Sequence, residues 1–163
     1  CCVLWEEASK KLESLSERIC IFRIGIVIST KDGALPKMLL TRSILIINYF
    51  GNGQQYHPWI HIKDLVGFII FSMEDGGVEG IFNTVAPQQI SNKTMMQSIM
   101  KANNWRGLLI PAPQFVLKLI LGEMSAVVLN SNRIDTKKIE KSGYRFRFND
   151  VGLAVKDVLK YKI

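Results

Sequence analysis

Long hydrophobic runs are missing from this 163-residue chain. Its longest apolar stretches, Ile44–Ile47 and Leu65–Phe71, fall well short of the roughly 20 residues a helix needs to span a bilayer, so no membrane-spanning helix is predicted. No basic stretch followed by an apolar one opens the chain, and no secretion signal is read there. Cysteine is scarce. Cys1, Cys2 and Cys20 are odd in number and make no disulfide framework, which points to a reducing, cytoplasmic location. The two histidines, His57 and His61, stand four apart, but Pro58 and an extended context deny them a shared helix face. No carboxylate or thiol completes a ligand set with them, so no metal site is expected.

What remains is an ordinary globular composition, 48% apolar and 21% charged, with room for one compact domain or a core with a small appendage. The formal net charge of +7 matches an anionic partner in sign: nucleic acid, a phosphate-bearing cofactor or a membrane surface. Much of it lies between Arg133 and Arg147, with Lys137, Lys138, Lys141 and Arg145. Arg133, Lys137 and Lys141 share a helix face by spacing. A charge run without an interleaved stacking platform reads as a solvated face, so neither nucleic acid nor membrane is counted as a partner.

Periodicity alternates between the two regular structures. Trp5, Ala8, Leu12 and Leu15 recur at helical spacing. The chain begins at Cys1 without Met, already inside this helix, with no strand or glycine turn before it, and a fragment is expected. Ile19–Ser29 is nearly continuously apolar and β-branched, the pattern of a strand covered on both faces. Turn chemistry at Thr30–Gly33 leads to a short helix over Ala34–Thr41. Ile44–Phe50 reads as a strand, Gly51-Asn52-Gly53 as a hairpin turn, and Gln54–Ile62 as extended chain. Asp64–Met73 is a nearly all-apolar helix expected to be buried, and Gly80–Val85 is another strand. Beyond Ala86-Pro87 the tail turns helical. Ser91 caps a helix to about Ala102, Phe115–Leu129 is helical with a break at Gly122, and Asn132–Ser142 is closed by Gly143. Tyr144–Phe148 reads as a two-faced strand, before a last amphipathic helix that places Val151, Ala154, Val155, Val158 and Leu159 on one side. The fold class is α/β with a mainly helical tail. The domain division falls at 1–107 and 108–163.

Six stretches in this order, CCVLWEEA, FRIGIVISTKDGALPKML, WIHIKDLV, GIFNTVAP, PAPQFVLKLILGEM and GYRFRF, resemble the epimerase-like branch of the extended short-chain dehydrogenases/reductases. That branch ends in a helical domain of unknown function. The resemblance covers essentially the whole chain and implies the C-terminal part of a Rossmann-like fold with a mainly helical, substrate-side domain. It also implies a glycine-rich turn in a preceding N-terminal half, where backbone amides and a helix N-terminus meet a pyrophosphate. No GxGxxG or GxxGxxG pattern occurs in this chain. The full-length protein is therefore expected to bind NADP or NAD, and this chain alone to bind none.

The resemblance also implies where function would lie. Related enzymes carry a Tyr four residues before a Lys in the first helix. Aligned on Glu6, the lysine position falls on Cys2 and the tyrosine position before residue 1, so no catalytic residue is assigned. The backbone of Ile24 and Gly25 would pass the nicotinamide, although Gly25 also suits close packing. His61 and Asn83 are candidates for the substrate pocket. Asp64 is expected to engage the amides of the helix it begins, and Glu123 either faces the cleft or belongs to a helix break. Ile26 and Val27 stand where relatives place a sugar-nucleotide-binding asparagine, and SILIINYF replaces a glycine-rich loop. Both departures weigh against ordinary nucleotide-sugar recognition. The resulting reading is a fragment of an NAD(P)-dependent epimerase or oxidoreductase. It supplies the substrate-side half, with the missing N-terminal half as partner and a small-molecule substrate of unknown identity. The alternative is a non-catalytic binding or regulatory module that keeps the fold.

Overall fold

The computed structural model describes residues 2–11, 16–31, 35, 36 and 46–160. Within them the order is α1 (Cys2–Lys10), β1 (Cys20–Ile24), β2 (Ile26–Ile28), β3 (Ile46–Phe50), β4 (Trp59–His61), α2 (Ile62–Glu74), β5 (Gly80–Thr84), α3 (Asn92–Ala102) and β6 (Leu108–Ala112). The tail adds α4 (Gln114–Leu121), a 3-10 turn (Gly122–Met124), α5 (Ser125–Leu129), α6 (Lys137–Lys141) and α7 (Val151–Lys160). All the strand pairs are parallel: β1 with β5, β2 with β4, β3 with β6. Helix α2 connects β4 to β5 and α3 connects β5 to β6, the kind of crossover that parallel pairing requires. The predicted helix over Ala34–Thr41, and the Leu12 and Leu15 positions of the first helix, lie largely outside the described residues.

The long apolar run Ile19–Ser29 is two strands, not one. It breaks at Gly25, where the chain leaves β5 and takes up β4. The Gly25 N–H still reaches Thr84 O at 3.3 Å, and the next amide, Ile26 N–H, goes to Pro58 O at 2.8 Å. A Cβ at Gly25 would stand 2.7 Å from Val85 Cγ1 and 2.9 Å from Pro58 O. Glycine is therefore present because the crossover brings two other strands against the backbone.

Strand alternation sets the layers. Phe22 on β1 packs edge-on against Phe68 of α2, centroids 5.7 Å apart, whereas its neighbour Arg23 is paired with Glu6 of α1 at 2.7 Å. Successive side chains of a strand point to opposite faces, so α1 and α2 cover opposite faces of the sheet. Buried Phe68, Val78, Phe82 and Ile139 form the core beneath α2, each aromatic contributing about 1.5–3 kcal/mol on full burial. A larger core joins α3 and α7 to the strands through Ile28, Ile47, Trp59, Met95, Ile99 and Val155. The helix α3 starts where Ser91 accepts the Thr94 N–H, as the capping pattern predicts.

Several expectations need correction. Gly51-Asn52-Gly53 is a turn but closes no hairpin, because β3 pairs in parallel with β6. β6 lies in a segment for which no strand was predicted; Pro111 is tolerable there at a sheet edge. Tyr144–Phe148 forms no strand. It runs as an extended strap whose alternate residues meet α2 instead of a ladder. The predicted helix over Asn132–Ser142 is only Lys137–Lys141. And α2 is buried on one face only: Leu65, Phe68 and Ser72 point inward, while Val66, Ile70 and Met73 form an exposed stripe with Met73 73% accessible. No helix among the described residues is long and apolar enough to cross a membrane.

Candidate functional site

Ligands of open α/β folds gather at the carboxyl ends of parallel strands. At the ends of β1 and β5, Arg23 lies opposite Asn83 and Ile24 opposite Thr84, so Ile24, Gly25 and Asn83 sit together on one ledge. The Ile24 side chain is 51% accessible. Asn83 Nδ2 makes one long bond, 3.5 Å, to Asp135 O. The ledge is bounded by Gln89, whose Nε2 donates to Ile134 O at 3.1 Å.

His61 does not join this ledge. It ends β4, opposite Ile28, and its side chain has no accessible surface. It is the N-cap of α2: Nδ1 accepts the Lys63 N–H at 3.0 Å. The ring stacks on Phe148 at 3.9 Å. Nε2 lies 3.3 Å from Asp157 Oδ2, close enough for charge interaction but off the line of a hydrogen bond. Burial pushes the imidazole below its ordinary value, against the opposing pull of Asp157 and Asp64.

Asp64 serves a different set of amides from those expected. Its carboxylate accepts Arg147 N–H at 2.8 Å and Phe148 N–H at 3.0 Å, both on the tail strap, and not the amides of its own helix. Tyr144 Oη donates to Asp64 O at 3.0 Å. Burial, and secondarily the Asp64 carboxylate, push the Tyr144 phenol up to about 12. Sequence proximity could not reveal this because the partners are 83 and 84 residues away.

A second set of strand ends borders an open surface hollow that the sequence did not reveal. Beyond β3 and β6, Asn52, Gln54, Gln55, Gln114, Leu129 and Ser131 line this hollow of about 270 Å³. The available signal was the carboxamide-rich turn after β3 together with Gln114 directly after Pro113. A wider surface depression of about 950 Å³, lined by Lys101, Trp105, Arg106 and Leu108 among others, lies at the amino end of β6, the end ligands avoid in such sheets. Glu123 stands exposed in the 3-10 turn; no described hollow includes it.

The basic run is partly absorbed by the fold. The Arg133 guanidinium lies over the Tyr56 ring at 4.1 Å. Lys138 Nζ donates to Glu79 O and Ile81 O and sits 4.2 Å from the Phe82 ring centre. Among the described residues no group of three His, Cys, Asp or Glu side chains could hold a metal ion. The space above Gly25 is filled by Val85 and Pro58, its N–H is taken by Thr84 O, and the N-termini of α2 and α3 are capped by His61 and Ser91.

Residues 112–158 match a family described as a domain of unknown function, DUF1731. An epimerase family protein of Staphylococcus aureus (strain NCTC 8325) is 34% identical over 161 residues, covering 96% of this chain and 52% of that protein. The crystal structure of human epimerase family protein SDR39U1 (isoform 2) with NADPH superposes with a TM-score of 0.83 at 30% identity, over 88% of this chain and 49% of that one. The nucleoside-diphosphate sugar epimerase from Corynebacterium glutamicum gives 0.73 at 26% identity, over 96% and 29%. The chain spans about half the length of the curated relatives it matches. In sequence and in fold it is similar to about half of an epimerase family protein, consistent with the C-terminal half, and its parallel-stranded α/β frame matches the Rossmann-like short-chain dehydrogenase/reductase fold.

Proposed function

We propose that this chain is the substrate-side half of an NAD(P)-dependent epimerase or oxidoreductase, and that the dinucleotide phosphates are held by residues outside it. The observation that carries this reading is the edge of β1. Among the described residues β1 pairs only with β5, and the helices on the two faces of the sheet carry exposed apolar side chains: Val3, Leu4 and Trp5 on α1, and Val66, Ile70 and Met73 on α2. A three-layer sandwich left open at one strand edge fits a further parallel strand and its helices. The human relative, solved with NADPH, supports NADP or NAD as the cofactor of the whole assembly. Ile24, Gly25 and Asn83 would then line the cofactor- and substrate-facing ledge through backbone and carboxamide. His61 would hold the strap behind it. Cytoplasmic residence and a small-molecule substrate belong to the same reading.

The test is complementation. The chain is co-expressed with the N-terminal half of the Staphylococcus aureus relative, and NADPH binding is followed by tryptophan fluorescence. Saturable binding by the pair and none by the chain alone is expected. Tight NADPH binding by the chain alone would place the phosphate cradle within these residues and overturn the proposal.

A further inference from the structure

We infer that the depression at the amino end of β6 is a docking site for an extended peptide of a partner protein, one in which acidic and aliphatic residues alternate. Lys101 and Arg106 meet its carboxylates, and the exposed face of β6 meets its aliphatic side chains. The depression lies away from the carboxyl strand ends where small ligands of such sheets gather, so this inference is separate from the substrate-side reading.

The end of α3 and the turn into β6 form the wall. The helix closes in a Schellman motif: Trp105 N–H reaches Met100 O at 2.9 Å, and Asn104 N–H reaches Lys101 O at 3.2 Å. Asn104 takes the left-handed conformation the motif requires, φ 50°, which asparagine tolerates. The turn buries the Trp105 ring, 9% accessible, and leaves Lys101 and Arg106 exposed. Both cations line the depression with Trp105, and no Asp or Glu does. Neither cation enters an ion pair among the described residues.

The indole makes this more than a basic patch. Trp105 Nε1–H is shielded from solvent and has no acceptor, whereas buried Trp59 gives the same group to Gln88 O at 2.9 Å. A buried donor left unpaired costs stability, and it is already stripped of water. A carboxylate that seats beside it as neighbouring side chains move aside supplies the missing acceptor, with its charge toward Lys101 and Arg106. Beyond the cations, Leu108 is 69% and Ile110 38% accessible. They stand two apart on β6 and so share one face, the spacing of alternate residues in an extended chain.

The same geometry disfavours other anions. A free phosphate is held by a nest of oriented backbone amides, and here the amides of Asn103, Asn104 and Trp105 are all bonded to α3 carbonyls. Single-stranded nucleic acid needs an aromatic face on which bases stack, and the Trp105 ring is buried. A lone carboxylate on an exposed cation gains little. Two cations, a dehydrated donor and an apolar strand face in succession select a longer ligand that carries both acidic and aliphatic groups.

The experiment uses the whole chain and needs neither cofactor nor second half. A short fluorescein-labelled peptide of alternating leucine and glutamate is titrated by anisotropy, beside a leucine–lysine peptide and a single-stranded oligothymidylate of similar length. The indole N–H resonances are followed by NMR, that of Trp105 being assigned by its loss in Trp105→Phe. The acidic peptide is expected to bind saturably and to move the Trp105 resonance while that of Trp59 stays in place. Its affinity should fall at least roughly tenfold in the double variant Lys101→Glu, Arg106→Glu, both positions being exposed and an unchanged backbone spectrum reporting the retained fold. The neutral pair Lys101→Gln, Arg106→Gln should fall between the two. No saturable binding, an unmoved Trp105 resonance or parent-like affinity in both double variants overturns the inference. So does tighter binding of the leucine–lysine peptide or of the oligonucleotide. None of these outcomes bears on the complementation result, so the two readings fail separately.

Discussion

The carboxylate of Asp64, in the first turn of α2, receives the backbone N–H of Phe148 at 3.0 Å across 84 residues of chain. With the Arg147 N–H on its other oxygen, it replaces the ladder that the extended strap lacks. Burial makes this side chain the strap's main polar anchor.

Asp64→Ala strands two strap amides, while the Tyr144 hydroxyl keeps the main-chain Asp64 O. The expected loss is about 3 kcal/mol, the range for charge-assisted bonds whose partners stay buried. Tyr144→Phe removes only the bond to Asp64 O and should lose about 1 kcal/mol. Urea unfolding of the three proteins measures both. Equal midpoints for Asp64→Ala and the parent would show that the strap is held by its aromatic packing alone.

How far these contacts could be read in the sequence depends on their range. Ser91 predicted the start of α3 because a helix cap is local. The buried β-branched strands were equally legible. The division of Ile19–Ser29 at Gly25 was not, since a change of partner leaves the apolar pattern of a doubly covered strand untouched. The Tyr144–Phe148 alternation was read as a sheet because period two reports an extended chain with two faces, and carries no information about what accepts its amides. The carboxamide hollow was missed for the same reason: Gln114 meets Asn52 only through the β3–β6 pairing.

Gly25→Ala tests the crossover. A methyl 2.7 Å from Val85 Cγ1 and 2.9 Å from a carbonyl oxygen must displace backbone, and overpacking of this kind costs about 1–3 kcal/mol. Trimming the opposing side chain by Val85→Ala should recover only part of the loss, because Pro58 O stays in place. Full recovery in the double variant would contradict a backbone clash.

The stripe of Val66, Ile70 and Met73 recurs at the spacing of one helix face, and an apolar patch of this kind drives association when nothing covers it. The chain is expected to self-associate at micromolar concentration. Ile70→Lys with Met73→Glu should shift its elution toward the monomer while changing stability within about 0.5 kcal/mol, as at exposed sites generally. Light scattering that finds the parent chain monomeric would remove the patch as a driver.

The strap should also respond to acid through His61. The neutral ring accepts the Lys63 N–H at Nδ1, and a proton there would face that N–H directly. Burial lowers the folded-state pKa below the ordinary value. A base whose pKa is depressed on folding contributes stability above its unfolded value, near 6.5, and loses it as pH falls through the folded value. Stability should therefore decline on acidification from about pH 6.5. Asp157 and Asp64 oppose the shift and Lys63 adds to it, so the slope should steepen in Asp157→Asn. His61→Asn keeps a good helix cap without a titrating ring. Its urea midpoint, whatever its value at pH 7, should be flat between about pH 6.5 and 5. A parent-like slope in that variant would assign the acid sensitivity to another group and leave His61 as a cap alone.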